Sequence, residues 1–259
     1  MSSELLPPWD RPPSLTDRVI SVGLWGAGLA WLVPMMSVMM GAAVFLRSDR
    51  TERLSRLYCR GQIAMTGARW RAVVDPAIDP GQPYVFVCNH VNLLDHVTMY
   101  NATPHFKQGL ELESHFKIPV YGWFMRQRGT IPVRRGQGRG QLEELEAGFR
   151  RELEAGHSIL AFPEGTRTRD GRVRPFKRGV FHIARNLGVP IVPTTVTGMY
   201  EVLRAGSALM RWGGEVTVYC DAPIPTEGLG PGDVAELAER AYAIVSGRIE
   251  AHIETSRAS

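Results

Sequence analysis

Cysteine is scarce in this chain of 259 residues, which holds only Cys59, Cys88 and Cys220. The number is odd and the spacing wide, which excludes a disulfide framework and a four-ligand zinc site. It fits a reducing, cytosolic environment. A Gly-x-Ser-x-Gly elbow is absent, so no serine-hydrolase nucleophile is on offer. Residues 136–140 are glycine-rich but lack the Walker Lys-Ser/Thr, so they read as a flexible loop rather than a nucleotide site. Internal repeats are absent too. Excess charge is small: 30 basic against 26 acidic residues, a net of +4. No aromatic-basic interleaving or recognition motif accompanies the basic residues, which argues against nucleic acid as a partner. With 44% hydrophobic and 22% charged residues, the chain is neither disordered nor a polytopic membrane protein.

What charge there is lies unevenly. Residues 126–178 hold 13 Lys/Arg against 7 Asp/Glu, a net of +6. A basic middle suits an anionic ligand or an anionic membrane surface, although a solvated basic face gives the same count. The other unusual segment is apolar. Residues 19–46 form a run of 28 with no charged, Asn, Gln or His side chain. Glu4, Asp10 and Asp17 precede it, which is wrong for a secretory signal. As one straight helix it would measure ~42 Å against a hydrocarbon core of ~30 Å. Pro34 stands near its middle, so the expectation is a half-depth helical hairpin, with a kinked single span as the alternative. Arg47, Arg50, Arg53 and Arg56 follow the run. By the positive-inside rule the downstream chain is cytoplasmic, and the hairpin gives the same result. The division expected is a membrane-associated helical segment over residues 1–48 and a globular unit over 49–259. The site expected for the whole is the inner (cytoplasmic) membrane, with the globular unit on its cytoplasmic side.

Within that unit, strands and helices alternate. Helices are expected at 50–66, 94–102, 140–155, 176–186 and 231–253 from apolar residues at helical spacing and Gly or Pro stops. Strands are expected at 70–74, 84–88, 130–133, 158–162, 191–196 and 216–220. The pattern predicts an α/β fold: a largely parallel central sheet flanked by helices, preceded by the N-terminal membrane-associated segment.

Four stretches carry chemistry. The apolar strand 84–88 runs straight into Asn89-His90, and Asp95 follows. A His at the carboxyl end of such a strand lies where α/β folds place ligands. A carboxylate holding one ring nitrogen leaves the other as a general base. The spacing alone is weak, and an N-capping Asp beside a structural His is the alternative. Without a nucleophile of its own, the pair would act on a hydroxyl of the substrate. The second stretch is 129–135, Gly-Thr-Ile-Pro-Val-Arg-Arg. The third is 162–167, Phe-Pro-Glu-Gly-Thr-Arg, whose Gly165 and Thr166 amides and Arg167 fork suit a phosphate. The fourth is 189–193, Val-Pro-Ile-Val-Pro.

Together and in this order the four stretches resemble the glycerolipid acyltransferases, the family of 1-acylglycerol-3-phosphate O-acyltransferase. The resemblance spans residues 89–193, and Pro-Phe-Lys-x-Gly at 175–179 also fits. It implies that His90 is the base and Asp95 orients it. It implies that Arg135 and Arg167 hold the acceptor's phosphate, with Glu164, Gly165 and Thr166 shaping that site, and that strand 189–193 helps form the acyl-donor region. The implied reaction needs no metal and no bound cofactor. Acyl-CoA or acyl carrier protein enters as co-substrate, and the acyl chain passes to the free hydroxyl of 1-acylglycerol-3-phosphate to give phosphatidate. The partners implied are a membrane lipid acceptor, the acyl donor and the membrane surface. One departure bears on the acceptor. Members that use lysophosphatidate commonly carry a Lys where this chain has Leu112, and Lys107 or Lys117 is the candidate to stand in. The alternatives are an acyltransferase of the same family acting on another lyso-lipid, such as a lyso-aminolipid or lysophospholipid, and a non-catalytic lipid-binding protein.

Overall fold

A computed structural model describes residues 6, 8–134 and 139–258 of the chain. The chain begins with α1 (Leu15–Ala43), started by a capping box in which the Ser14 side chain and Asp17 satisfy each other's backbone amides. After a 3-10 turn come α2 (Glu52–Met65), β1 (Arg69–Val74) and β2 (Val85–Cys88). Next are α3 (Asp95–Tyr100), β3 (Lys107–Leu112), α4 (Tyr121–Gln127), β4 (Ile131–Val133) and α5 (Arg139–Glu154). The order closes with β5 (Ser158–Ala161), α6 (Gly179–Leu187), β6 (Ile191–Thr197), α7 (Met199–Val202), β7 (Glu215–Cys220) and α8 (Val234–Ala258).

The seven strands form one sheet in the order β1-β7-β6-β2-β5-β3-β4. The body β6-β2-β5-β3-β4 is parallel throughout. β7 runs antiparallel to β6, and β1 pairs parallel to β7, so one edge of the sheet is reversed. β2 lies between β5 and β6 and is buried on both faces, which is why its sequence is a continuous apolar run. Its period of two still divides the core. Phe86 and Cys88 pack with Met99, Tyr100, Cys59, Ile63 and Ile249 on the α1–α2–α3 side. Val85 and Val87 pack with Phe149, Phe181, Ile183 and Leu237 on the α5–α6–α8 side.

Two expectations are corrected here. Residues 19–46 do not fold into a hairpin, for α1 runs unbroken through Pro34. A proline inside a helix forfeits one backbone bond, and the packing on either side makes up for it. The Trp31 indole N–H donates to the Tyr58 carbonyl of α2 at 3.0 Å. Its ring lies against Gly61, where a Cβ would come within 2.1 Å of it, so only glycine admits this contact. Farther back, the Trp25 indole N–H donates to the Ala208 carbonyl at 2.7 Å and the amide of Met210 donates to Ser21 Oγ at 2.9 Å. The helix is thus fastened to the globular part from Ser21 to Trp31. The second correction is β3, which the sequence pattern does not announce and which completes the parallel body between β5 and β4.

Candidate active site

The site forms where β2 ends. Asn89 continues the grip on β6 through its side chain, donating from Nδ2 to the Val196 carbonyl at 3.0 Å and accepting the Val196 amide at 2.8 Å. Asn92 accepts the Leu94 amide at 2.8 Å and donates to the carbonyls of Met199 and Leu203 at 3.0 and 2.8 Å. Both asparagines are buried, and neither side-chain amide is left without a partner inside the protein. The turn they lock contains His90 and delivers Asp95 to the first position of α3.

His90 Nδ1 and Asp95 Oδ2 are 2.7 Å apart. The same oxygen accepts the amides of Val91 and Asn92 at 2.6 and 3.0 Å. With the carboxylate as acceptor, the ring proton resides on Nδ1 and the Nε2 lone pair is left available. Burial pushes the Asp95 carboxyl above its ordinary value, and the bonds from His90 and the two amides pull in the opposite sense. The imidazole stacks on Phe162, with ring centroids 4.4 Å apart and planes 20° from parallel. Its side chain stays 25% exposed, while that of Asp95 is 1% exposed. Among the described residues nothing hydrogen-bonds to Nε2 of His90. The arrangement can therefore accept a proton from a group brought in from outside, and holds the carboxylate that would stabilise the resulting imidazolium.

The 162–167 stretch follows β5 and lies directly against this turn. Glu164, which the resemblance places among the residues shaping the phosphate site, is buried. Its Oε1 accepts the His90 amide at 2.6 Å and its Oε2 accepts the Arg174 amide at 2.8 Å. The amide of Thr168 donates to the His90 carbonyl at 2.7 Å. Burial pushes the Glu164 carboxyl up to about 7. Gly165 adopts φ 69°, a conformation open to glycine, while Thr166 and Arg167 are exposed. Among the described residues the Arg167 guanidinium has no carboxylate or carbonyl partner. Arg135 lies outside the described residues. Its neighbour Arg134 is engaged by Glu113 and Glu144 at 3.0 and 3.2 Å.

Lys107 is no phosphate ligand. Its ammonium is fully buried and donates to the carbonyls of Tyr100, His105 and Thr103 at 3.2, 3.3 and 3.4 Å. Loss of water pushes its pKa down to about 7. Lys117 remains exposed. Within residues 189–193, Ile191 and Val192 are wholly buried in β6, where they support β2 from inside the sheet. An apolar groove opens instead between α1, α2 and the start of α3, lined by Leu24, Trp25, Leu29, Tyr58, Leu93 and Val97. Leu94, the residue before Asp95, also stands in its wall.

The comparisons with known proteins fall on this same region. The family described as Acyltransferase matches residues 70–197, from β1 through β6. The chain belongs to the acyltransferase family. Among its relatives, this acyltransferase is 38% identical over 142 residues to 1-acyl-sn-glycerol-3-phosphate acyltransferase BAT2 of Brassica napus, covering 55% of this chain and 41% of that one. It is 30% identical over 221 residues to a 1-acyl-sn-glycerol-3-phosphate acyltransferase of Chlamydomonas reinhardtii, covering 83% and 66%. It is 32% identical over 161 residues to the human alpha form of an enzyme of that name, covering 62% and 56%. The acyltransferase thus spans roughly two fifths to two thirds of the length of these relatives. The crystal structure of PlsC from Thermotoga maritima, a 1-acyl-sn-glycerophosphate acyltransferase, superposes with a TM-score of 0.72 over 91% of this chain and 95% of that one. At 20% identity that likeness shows the fold.

Some residues at the site escape motif reading. Asn92 and Phe162 are visible in the sequence, but their roles depend on β6, α7 and the His90 ring, which only folding brings together. Lys177 stands in the 175–179 stretch, but its contact with Gly165 is likewise made only by folding.

Proposed function

We propose that the chain is a membrane-associated O-acyltransferase that moves a fatty acyl group from a thioester donor to the free hydroxyl of 1-acylglycerol-3-phosphate, giving phosphatidate. The observation that carries this reading is the His90–Asp95 pair at 2.7 Å with its Nε2 open to an incoming hydroxyl. Nε2 takes the hydroxyl proton as the oxygen attacks the thioester carbonyl. The tetrahedral intermediate collapses with loss of the thiolate of CoA or acyl carrier protein. The imidazolium, steadied by Asp95, returns the proton to that thiolate. One ester forms, one thioester breaks, and no acyl group is held by the protein. Arg167, with Arg135 from the second block, binds the acceptor's phosphate. The apolar groove beside Asp95 takes an acyl chain.

Residues 1–48 act as the membrane-seated part and 49–259 as the catalytic unit. Among the described residues α1 is the one helix long and apolar enough to cross a membrane. Yet from Ser21 to Trp31 it is bound to the globular part, and it shows Val19, Val22, Leu29 and Val33 to the outside. A helix held that way lies in the leaflet surface rather than through it. α4 packs beside α1, and the residues leading into it, Ile118 and Val120, are exposed as well. The basic stretch 126–178 then faces anionic headgroups on the cytoplasmic side of the inner membrane.

A second reading, transfer to a different lyso-lipid by the same chemistry, is favoured by Leu112 standing where a phosphate-binding Lys is common. Purified protein given lysophosphatidate, a lysophosphodiester and a lyso-aminolipid, each with acyl-CoA and with acyl carrier protein, decides between them. Phosphatidate as the main product is expected. Product from another lyso-lipid and none from lysophosphatidate would reject the acceptor, and no transfer at all would reject the reaction. For the membrane part, a Val22→Lys, Val33→Lys double variant is expected to lose binding to anionic vesicles while keeping its thermal midpoint. Undiminished binding would move the membrane contact away from α1.

A further inference from the structure

The acceptor reading leaves a question of charge. A phosphomonoester carries close to two negative charges on three strongly accepting oxygens, so a donor beyond Arg167 and Arg135 has a place at it. Leu112 supplies no cation, Arg134 is held between Glu113 and Glu144, and Lys107 is sealed among carbonyls. Arg167 stands free on the edge of the site.

We infer that Lys177, lying across Gly165, is a further cation for the acceptor's phosphate, beside Arg167 and Arg135. The inference rests on the acceptor reading proposed above. Its basis is a packing detail. A Cβ built on Gly165 would meet the Lys177 Nζ at 2.5 Å, its Cε at 3.0 Å and its Cδ at 3.3 Å. The end of the lysine side chain therefore lies over the glycine, with the ammonium nearest to it. Gly165 serves twice, for its φ of 69° and for the room it leaves the lysine.

The backbone holds the lysine there. Its amide donates to the Pro163 carbonyl at 2.9 Å, and three residues earlier the Arg174 amide donates to Glu164 at 2.8 Å. Glu164 in turn holds the His90 amide at 2.6 Å. Lys177 is thus two hydrogen-bonded links from the general base, on the same turn as Arg167. Among the described residues its ammonium has no carboxylate or carbonyl partner, and the side chain is exposed. An unpaired lysine and an unpaired arginine flanking exposed Gly165 and Thr166 make a two-cation cradle for a phosphate.

The test compares wild type with Lys177→Met, which keeps the stem and removes the charge, and Lys177→Arg, which keeps the charge. Acyl transfer to lysophosphatidate and to monoacylglycerol, which has no phosphate, is measured for each. For Lys177→Met, the KM for lysophosphatidate is expected to rise about tenfold or more, the size of one lost charge-assisted bond, with the donor KM unmoved. Lys177→Arg is expected to restore most of the loss, and turnover on monoacylglycerol to be the same in all three. A Lys177→Met protein with wild-type KM for lysophosphatidate, or with both KM values raised alike, would overturn the inference and leave the acceptor reading standing. Wild type that ignores lysophosphatidate and acylates another lyso-lipid would overturn both.

Discussion

Two turns leave the carboxyl ends of the neighbouring parallel strands β2 and β5, and they are built to opposite plans. The turn after β2 draws its polar groups inward. Asn89, Asn92 and Asp95 are buried, and of the polar side chains only the His90 ring shows an edge to the outside. The turn after β5 sends Thr166 and Arg167 outward and keeps one carboxylate, Glu164, inside. That carboxylate serves the other turn, since it accepts the His90 amide. The difference fits the tasks proposed for them. A general base must be fixed to within tenths of an ångström and kept in one tautomer, which calls for a dry, fully hydrogen-bonded setting. A phosphate-binding cation works from the surface, where a charge costs little to keep. Glu164 joins the two so that base and cation hold a set distance.

The first way to break the comparison is to remove the base. His90→Ala should lower turnover by about 10² to 10⁴ while the thermal midpoint stays near that of wild type, because the ring is partly exposed. Asp95→Asn should fall in the same direction and lose stability besides, since Oδ2 holds two backbone amides as well as the ring. Steady-state kinetics with thermal unfolding of each variant makes the check. Near-normal turnover in folded His90→Ala protein would remove His90 from the chemistry.

The second acts on the outward turn. Arg167→Ala should raise the acceptor KM roughly tenfold to more than a hundredfold and leave the donor KM unchanged. Its stability should move by no more than about 0.5 kcal/mol, as for an exposed residue without partners. If both KM values rose together, or the protein lost stability, Arg167 would be part of the scaffold and the contrast between the turns would fail.

How much of this was legible beforehand differs between the turns and the sheet. The strands β2, β5 and β6 announce themselves as apolar runs because both faces are covered. β3 does not, for its Lys-Gln-Gly-Leu-Glu-Leu holds a lysine and a glutamine that are buried only because Tyr100, His105, Arg128 and Glu152 meet them. Local propensity has no access to such partners. The reversal of β7 against β6 is equally silent, since a strand's sequence does not carry its direction. At the site, the His90–Asp95 contact follows from five residues of spacing and was readable. The bond from the His90 amide to Glu164 crosses 74 residues and was not, because no local spacing carries it. Pro34 misled in the other direction. A proline marks a break when local bonding decides, and α1 is decided by Trp25 and Trp31 reaching the body of the protein.

The finest test of the comparison is the buried carboxyl that links the turns. Burial pushes Glu164 from an ordinary 4.5 up to about 7, so between those values the folded chain holds a proton that the unfolded chain has released. The stability this group contributes is fully present below pH 4.5 and is lost as the pH rises through about 7. One carboxyl sets a slope of at most about 1.4 kcal/mol per pH unit. Glu164→Gln cannot ionise and keeps the size of the protonated acid. Its urea stability should therefore gain on wild type as the pH goes from 4.5 to 7.5, the gap levelling off beyond that. Asp95, His90 and Arg174, the groups around it, are present in both proteins and cancel in the difference to first order. Arg167→Ala, carried through the same titration, should show no such drift. Parallel curves for wild type and Glu164→Gln would mean that the inward carboxylate ionises as freely as one on the surface, and the two turns would then differ in geometry alone.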